Sequence, residues 1–433
     1  MTRSIRCLPV AWLLAVAVAV LGGAPVQAAD QDKPWTLDAN NWQEGTDLLP
    51  EPVVKRLKNG EYWFNVVPVD PKKFHDNFAK KFWDASAAND GKYDLEPKQC
   101  GLRDKASGKI PEYVVGLPFP KIDPADPQVA CKIAHNFNFA NLQGGGGGAT
   151  FTLNGVDSSG QFRRVKAFIH SMGYQGRLDG QIKDNPENLQ AQGIGGAIEP
   201  QDVEGVSTLT KRYWDWESQD ALWAYVPSTR RARRVNAASR SDPVAGLDIF
   251  ADDLNCYGGK IEYYQWKYVG EGKVLAPVLQ PYPYAMKQVN PTRYTIDTPY
   301  VKAGYEVPGS KGAPWWPNEN LVFVARPVYI VEGQSSDPYY NFGKVIMYFD
   351  KELYRIYWKQ VHNRAGEYFY TAMCGYHFVK DAETFSAAFP SMVMGVNDKT
   401  NRSALGGRYQ SSFIERNWDP NYFSLRTLTH MTD

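Results

Sequence analysis

The sequence predicts a β-rich α+β fold, a large antiparallel sheet with a few helices and an irregular, loop-rich N-terminal region. Three observations predict it. Aromatic residues make up 14% of the 433 residues, with 26 Tyr and 13 Trp, yet mean hydropathy is polar. That mixture suits sheets whose faces carry Tyr and Trp better than it suits helical bundles. From Ala149 onward, short runs alternate apolar and polar residues with period 2. Turns rich in Gly, Asp and Asn separate those runs at hairpin spacing.

Taken in order, residues 30–70 are polar and punctuated by Pro. Asp70-Pro71 then offers an N-cap followed by Pro at the first helical position, and Phe74, Phe78 and Phe82 fall four apart on one face. Two short helices are expected there. Residues 95–130 read as irregular, with turn signals at Gly108-Lys-Ile-Pro111 and Leu117-Pro-Phe-Pro120. Gly144 to Gly148 are consecutive glycines; no Lys-Ser/Thr follows them, as a phosphate-cradling loop requires, so a flexible surface loop is expected.

Hairpins follow. Ala149–Leu153 alternates, Asn154–Gly160 turns, and Phe162–Ile169 returns. Leu222–Val226 puts Trp223 and Tyr225 on one face. Lys260–Val269 leads to a turn at Glu271-Gly272 and then to Lys273–Val278. Leu321–Val331, Lys344–Phe349, Leu353–Val361 and Tyr368–Ala372 complete the set. In Leu353–Val361, Tyr354, Ile356 and Trp358 share one face while Arg355 and Lys359 share the other, the pattern of a sheet with one apolar and one wet face. The expected organisation is a signal peptide over 1–28, an N-terminal loop and helix region over 29–130 packed on the main domain, and an antiparallel β domain over 131–433.

The first 28 residues set the compartment. Arg3 and Arg6 precede an apolar run from Leu8 to Leu21 that is too short to span a bilayer, and Val26-Gln27-Ala28 supplies the small residues that a signal peptidase reads. Cleavage after Ala28 is expected, giving a protein that works in the periplasm or at the outer membrane. It would leave 46 basic against 47 acidic residues, so nothing global draws the chain to nucleic acid. Cys100, Cys131, Cys256 and Cys374 remain, an even number in an oxidising compartment. Four cysteines allow three pairings; Cys100–Cys131, closing a Pro-rich loop, and Cys256–Cys374, tying distant strands, are favoured. No pair of cysteines or histidines has zinc-ligand spacing.

The sharpest local feature is Trp223-Ala-Tyr225-Val-Pro227-Ser-Thr-Arg230-Arg231-Ala-Arg233-Arg234, an aromatic strand running into clustered arginines. Guanidinium groups bind carboxylates and phosphates bidentately, so Arg230, Arg231, Arg233 and Arg234 are docking candidates for an anionic partner; pairing with Asp242, Asp248, Asp252 or Asp253 is the structural alternative. This segment, with Asp248-Ile-Phe-Ala-Asp252-Asp253-Leu254, resembles the signature of a proteobacterial secreted family of unknown function. That family is similar to the outer-membrane lipoprotein-sorting (LolA/LolB-like) periplasmic carriers. The resemblance continues through Gly259–Lys267, Arg326-Pro-Val-Tyr329 and Asp337–Asp350, takes in Gly108-Lys-Ile-Pro111, and spans roughly residues 40–430. The cysteines and the glycine run depart from the family pattern.

The resemblance implies a half-barrel, a curved antiparallel sheet wrapped around a few helices and enclosing an apolar cavity. It also implies a lipid or other hydrophobic small molecule as cargo, with an inner-membrane efflux-type transporter and an outer-membrane barrel as partners. Trp223, Tyr225, Tyr264, Trp266, Tyr354, Ile356 and Trp358 are the expected cargo-lining residues. No G-x-S-x-G, H-E-x-x-H or Cys–His arrangement appears, so neither an enzyme nor a cofactor is expected. The alternative is an extracytoplasmic binding module, for a glycan or a protein, that uses the aromatic faces and the arginine cluster.

Overall fold

The computed structural model describes residues 33–431, apart from 298–299, 303–305, 307–319 and 382–383; the expected signal peptide and cleavage point lie outside the described residues. Helices α1 (Glu51–Lys58), α2 (Pro71–His75) and α3 (Lys80–Ala87) form early. The Asp70 side chain caps α2 by accepting from the Lys72 and Lys73 amides, and Phe74, Phe78 and Phe82 are all buried. Short strands Trp35–Leu37 and Phe64–Val66 pair with each other, and Val66 bridges Phe323 of the main sheet. Helix α4 (Val129–Leu142) is buried along most of its length. The Cys100–Cys131 disulfide ties the irregular stretch before it to its first turn.

The main sheet comprises β1 (Gly146–Asp157), β2 (Gly160–Gly173), β3 (Leu189–Glu199), β4 (Ser207–Tyr213), β5 (Ala221–Val226) and β6 (Arg231–Val235). It continues with β7 (Tyr264–Val278), β8 (Val322–Ser335), β9 (Phe342–Asp350), β10 (Ile356–Asn363), β11 (Tyr368–Lys380), β12 (Ser386–Asn397) and β13 (Arg402–Glu415). Pairing runs β7-β8-β9-β10-β11-β12-β13-β1-β2-β3-β4-β5-β6, antiparallel throughout. Two meanders thus meet where β13 pairs with β1. The sheet curves strongly: Val278, at the end of β7, makes a parallel bridge with Tyr376 of β11.

Three local expectations need correction. The flexible surface loop expected at Gly144–Gly148 does not form. Gly146–Gly148 open β1, which is paired with β2 on one side and β13 on the other. Glycine serves close approach here, because a Cβ on Gly147 would lie 2.2 Å from the Phe413 carbonyl oxygen. The turn expected at Glu271-Gly272 is absent. Both residues lie within the 15-residue β7, which absorbs the irregularity as a bulge between Tyr268 and Gly270.

The third correction concerns the wet face of β10 and the turn before it. Arg355 and Lys359 are both 0% exposed. Residues 236–263, the link from β6 at one edge of the sheet to β7 at the other, run back as a strap, with residues 251–256 packed on β10, β11 and β12. Of the charged side chains that alternation assigns to water, Lys359 instead meets Asp252 and Asp253 on that strap, and Arg355 meets Asn141 of α4 and the Leu353 carbonyl. Trp358, on the opposite face, is also fully buried and donates from Nε1 to the Leu275 carbonyl at 2.8 Å.

Candidate functional site

A cleft of about 300 Å³ opens between α4, the strap and the strap-bearing face of the sheet. Helix α4 contributes Phe137, Asn138, Asn141 and Leu142, and the floor is Gly144–Gly148 with Ala149. Ile169, Ser171, Ala191 and Arg212 continue it across β2, β3 and β4, and Ala387–Pro390 with Ser412 close the far side. Leu254–Gly259 of the strap, excepting Cys256, form the lip. Glycine and alanine supply much of the lining, at Gly144–Gly148, Ala149, Ala191, Ala387 and Ala388.

The strap is held by buried contacts. Lys359 Nζ lies 2.6 Å from Asp253 Oδ1 and donates to the Asp252 carbonyl at 3.0 Å. Asp253 Oδ2 accepts from the Tyr370 hydroxyl at 2.6 Å and from the Phe250 amide at 2.9 Å. Arg240 lies 3.2 Å from Asp252, which also accepts from the Tyr340 hydroxyl. Burial pushes the Tyr340 and Tyr370 phenols well above their usual range, and the neighbouring carboxylates push the same way, so both stay neutral donors. The Cys256–Cys374 disulfide adds a covalent tie between strap and β11. At the lip, Arg212 donates to Asp220 at 2.8 Å and to the Gly258 carbonyl at 2.6 Å, fastening the strap to β4.

Behind the cleft, Arg355 sits among the rings of Phe78, Phe137 and Tyr376, each about 6 Å from the guanidinium carbon. It donates to the cleft residue Asn141 and, at 3.2 Å, to the Leu353 carbonyl. Burial lowers its pKa from the ordinary arginine value.

None of the seven aromatic and aliphatic candidates lines this cleft. Tyr354, Ile356 and Trp358 are in the main core, as is Tyr264, whose hydroxyl donates to that of Tyr340 at 2.8 Å. Trp266 donates to the Ile261 carbonyl at 2.7 Å and packs beside the strap residue Tyr257. Trp223 and Tyr225 lie on the face away from the strap, against Leu209, Phe423 and Leu428. The residues that do line the cleft escaped sequence reasoning. Their one legible signal was the density of small residues in strand-like segments, the glycine run above all.

Arg230, Arg231, Arg233 and Arg234 sit together on the β5–β6 hairpin and all are exposed. Arg234 lies over the Trp223 ring at 6.0 Å. The aspartates offered as their partners are engaged elsewhere: Asp242 by Asn341, Asp248 by Asn397, Asp252 by Arg240 and Asp253 by Lys359. By strand register, Arg231 and Arg233 share the face of Arg212 and the cleft. Among the described residues no cluster of three or more His, Cys, Asp or Glu side chains suits a metal ion, and no helix is long and apolar enough to cross a membrane.

Residues 36–425 match the family model described as "Protein of unknown function (DUF1329)". No curated protein matches. Among solved structures, a putative outer membrane lipoprotein-sorting protein domain from Vibrio parahaemolyticus is similar at 16% identity, covering 69% of this chain and 97% of its own, with a TM-score of 0.47. A DUF1329 family protein from Desulfovibrio piger is similar at 10% identity, covering 68% and 96%, with a TM-score of 0.43. A LolA superfamily protein from Nitrosomonas europaea is similar at 12% identity, covering 69% and 98%, with a TM-score of 0.42.

Proposed function

We propose that this chain, which belongs to the DUF1329 family of unknown function, is a non-catalytic periplasmic carrier that shelters a lipid or other hydrophobic molecule on its way to or from the outer membrane. The observation that carries the reading is the cleft. Its volume of about 300 Å³ is at the lower end of the roughly 300–1,000 Å³ typical of small-molecule sites. Phe137, Leu142, Ile169, Met172, Leu254 and Phe389 give it apolar walls. Each methylene buried there contributes about 0.8 kcal/mol, so one acyl segment supplies affinity without any covalent step. The two disulfides and the exportable N-terminus support an oxidising, extracytoplasmic location.

Native mass spectrometry of protein purified from periplasm, with lipid extraction, tests this. Cargo should appear at one molecule per chain and disappear in an Ala191→Phe variant, whose ring fills the cleft. Absence of cargo from the wild type, together with no uptake of added lipids, removes the reading.

A docking role for the arginines has its own support, since Arg230, Arg231, Arg233 and Arg234 are exposed and pair with none of the four candidate aspartates. A membrane transporter or outer-membrane barrel with an acidic surface is the partner expected for them. Replacing all four with Ala should abolish partner capture and leave cargo binding unchanged; capture that survives makes the arginines structural.

A further inference from the structure

Resting on the carrier reading, the electrostatics of the cleft point to a cargo class: we infer that it takes lipids whose head group is uncharged and hydrogen-bonding, in preference to fatty-acid anions or cationic amphiphiles. Among the described residues Arg212 is the one charged side chain lining the cleft. Its charge is matched by Asp220, which accepts from Nε at 3.1 Å and from Nη2 at 2.8 Å. Among the described residues the lining therefore holds no unmatched charge for an ionic head to meet, and an ion taken out of water without a partner is disfavoured.

Helix α4 leaves that balance unchanged. Its C-terminal residues Asn141 and Leu142, and Gly144 and Gly145 just beyond, line the cleft, and its last turn contains no basic residue. The negative end of the helix dipole, about half an elementary charge, is therefore turned toward the cargo and is offset by the buried Arg355 guanidinium that donates to Asn141 behind it, so this end presents no net charge of either sign. A cation gains little in return, because among the described residues no carboxylate lines the cleft.

Uncharged polar groups are present and waiting. Ser412 lines the cleft, is 5% exposed, and its Oγ has no hydrogen-bond partner among the described residues. Asn255 Oδ1, on the lip, is likewise buried and without one. Buried polar atoms are ordinarily partnered, and two such atoms in one apolar cleft mark where a ligand's polar group is received. A hydroxyl can donate to Asn255 Oδ1 or exchange a hydrogen bond with Ser412, as glycerol monoesters and long-chain alcohols do; a quaternary ammonium cannot.

Calorimetric titration of the full-length exported protein at pH 8 with 1-monolauroylglycerol, laurate and dodecyltrimethylammonium, each below its micelle concentration, tests the inference. The monoglyceride should bind at least tenfold more tightly than either ion. Ser412→Ala should weaken it several-fold while leaving laurate unchanged, and Ala191→Phe should abolish binding. Laurate or the ammonium binding as tightly as the monoglyceride overturns the head-group assignment and leaves the carrier reading standing. Monoglyceride affinity unchanged in Ser412→Ala, or retained in Ala191→Phe, overturns the assignment to this cleft. Failure of all three probes to bind overturns the carrier reading as well.

Discussion

Replacing Asp253 with Leu should be among the most destabilising single changes in the protein. Asp253 is 1% exposed and Lys359 0%, and their charged atoms lie 2.6 Å apart. Removing one partner strands the other charge in the interior, which costs about 3–5 kcal/mol. Asp253→Leu also deprives the Tyr370 hydroxyl and the Phe250 amide of their acceptor, adding about 1–3 kcal/mol for each donor left buried and unpaired. Lys359→Met loses only the ion pair and one bond to the Asp252 carbonyl, so its cost stays near 3–5 kcal/mol. The double variant buries no unmatched charge and should be more stable than the sum of the single losses predicts, by at least about 2 kcal/mol. Urea unfolding followed by tryptophan fluorescence, with the disulfides oxidised, gives the three values. Single losses below about 1 kcal/mol, or strict additivity, would refute the argument that the strap is anchored by a dry ion pair.

Other outcomes follow from the same structure. Converting Cys256 and Cys374 to Ala should lower stability by about 5 kcal/mol, and by about 1 kcal/mol more than converting Cys100 and Cys131, since the sequence separations are 118 and 31; equal losses in thermal unfolding would argue against the loop-entropy account. His135 is 3% exposed, and burial lowers its pKa to about 4, opposed only in part by the contact of Nε2 with the Cys100 carbonyl. It stays neutral in the fold while the unfolded chain takes up a proton below about pH 6.5, so stability is full above that pH. It then falls with acidification by up to about 3 kcal/mol by pH 4; His135→Gln should flatten that slope, and an unchanged slope refutes the assignment. Gly147→Ala, whose Cβ meets the Phe413 carbonyl oxygen at 2.2 Å, should cost about 1–3 kcal/mol or more. Gly193→Ala, with its nearest neighbour at 3.4 Å, should cost clearly less in the same denaturation assay.

Much of the fold was legible because strands announce themselves locally. Alternation in Ala149–Leu153, Leu222–Val226 and Lys344–Phe349 marks real strands, and Asp70-Pro71 marks a real helix start, since pleat and cap chemistry depend on near neighbours in sequence. The same locality explains the misreadings. Glycine looks flexible in sequence, yet at Gly146–Gly148 it is required by two strands that crowd the backbone from either side. Helix α4 was missed because it is buried on nearly every side and so lacks a clean amphipathic stripe.

By itself the sequence determined the β-rich class and the family, and it favoured, among three possible pairings, the cysteine pairing that the structure adopts. Tertiary structure alone decided what faces what. Alternation separates the two faces of β10, but it cannot say that the strap returns over one of them and gives Lys359 a buried carboxylate instead of water. Nor can it locate a cleft, because a hollow forms where glycines and alanines from β1, β3 and β12 meet the end of α4, side chains far apart along the chain. Periodicity is a property of neighbours in sequence, whereas burial and empty volume belong to the packed whole.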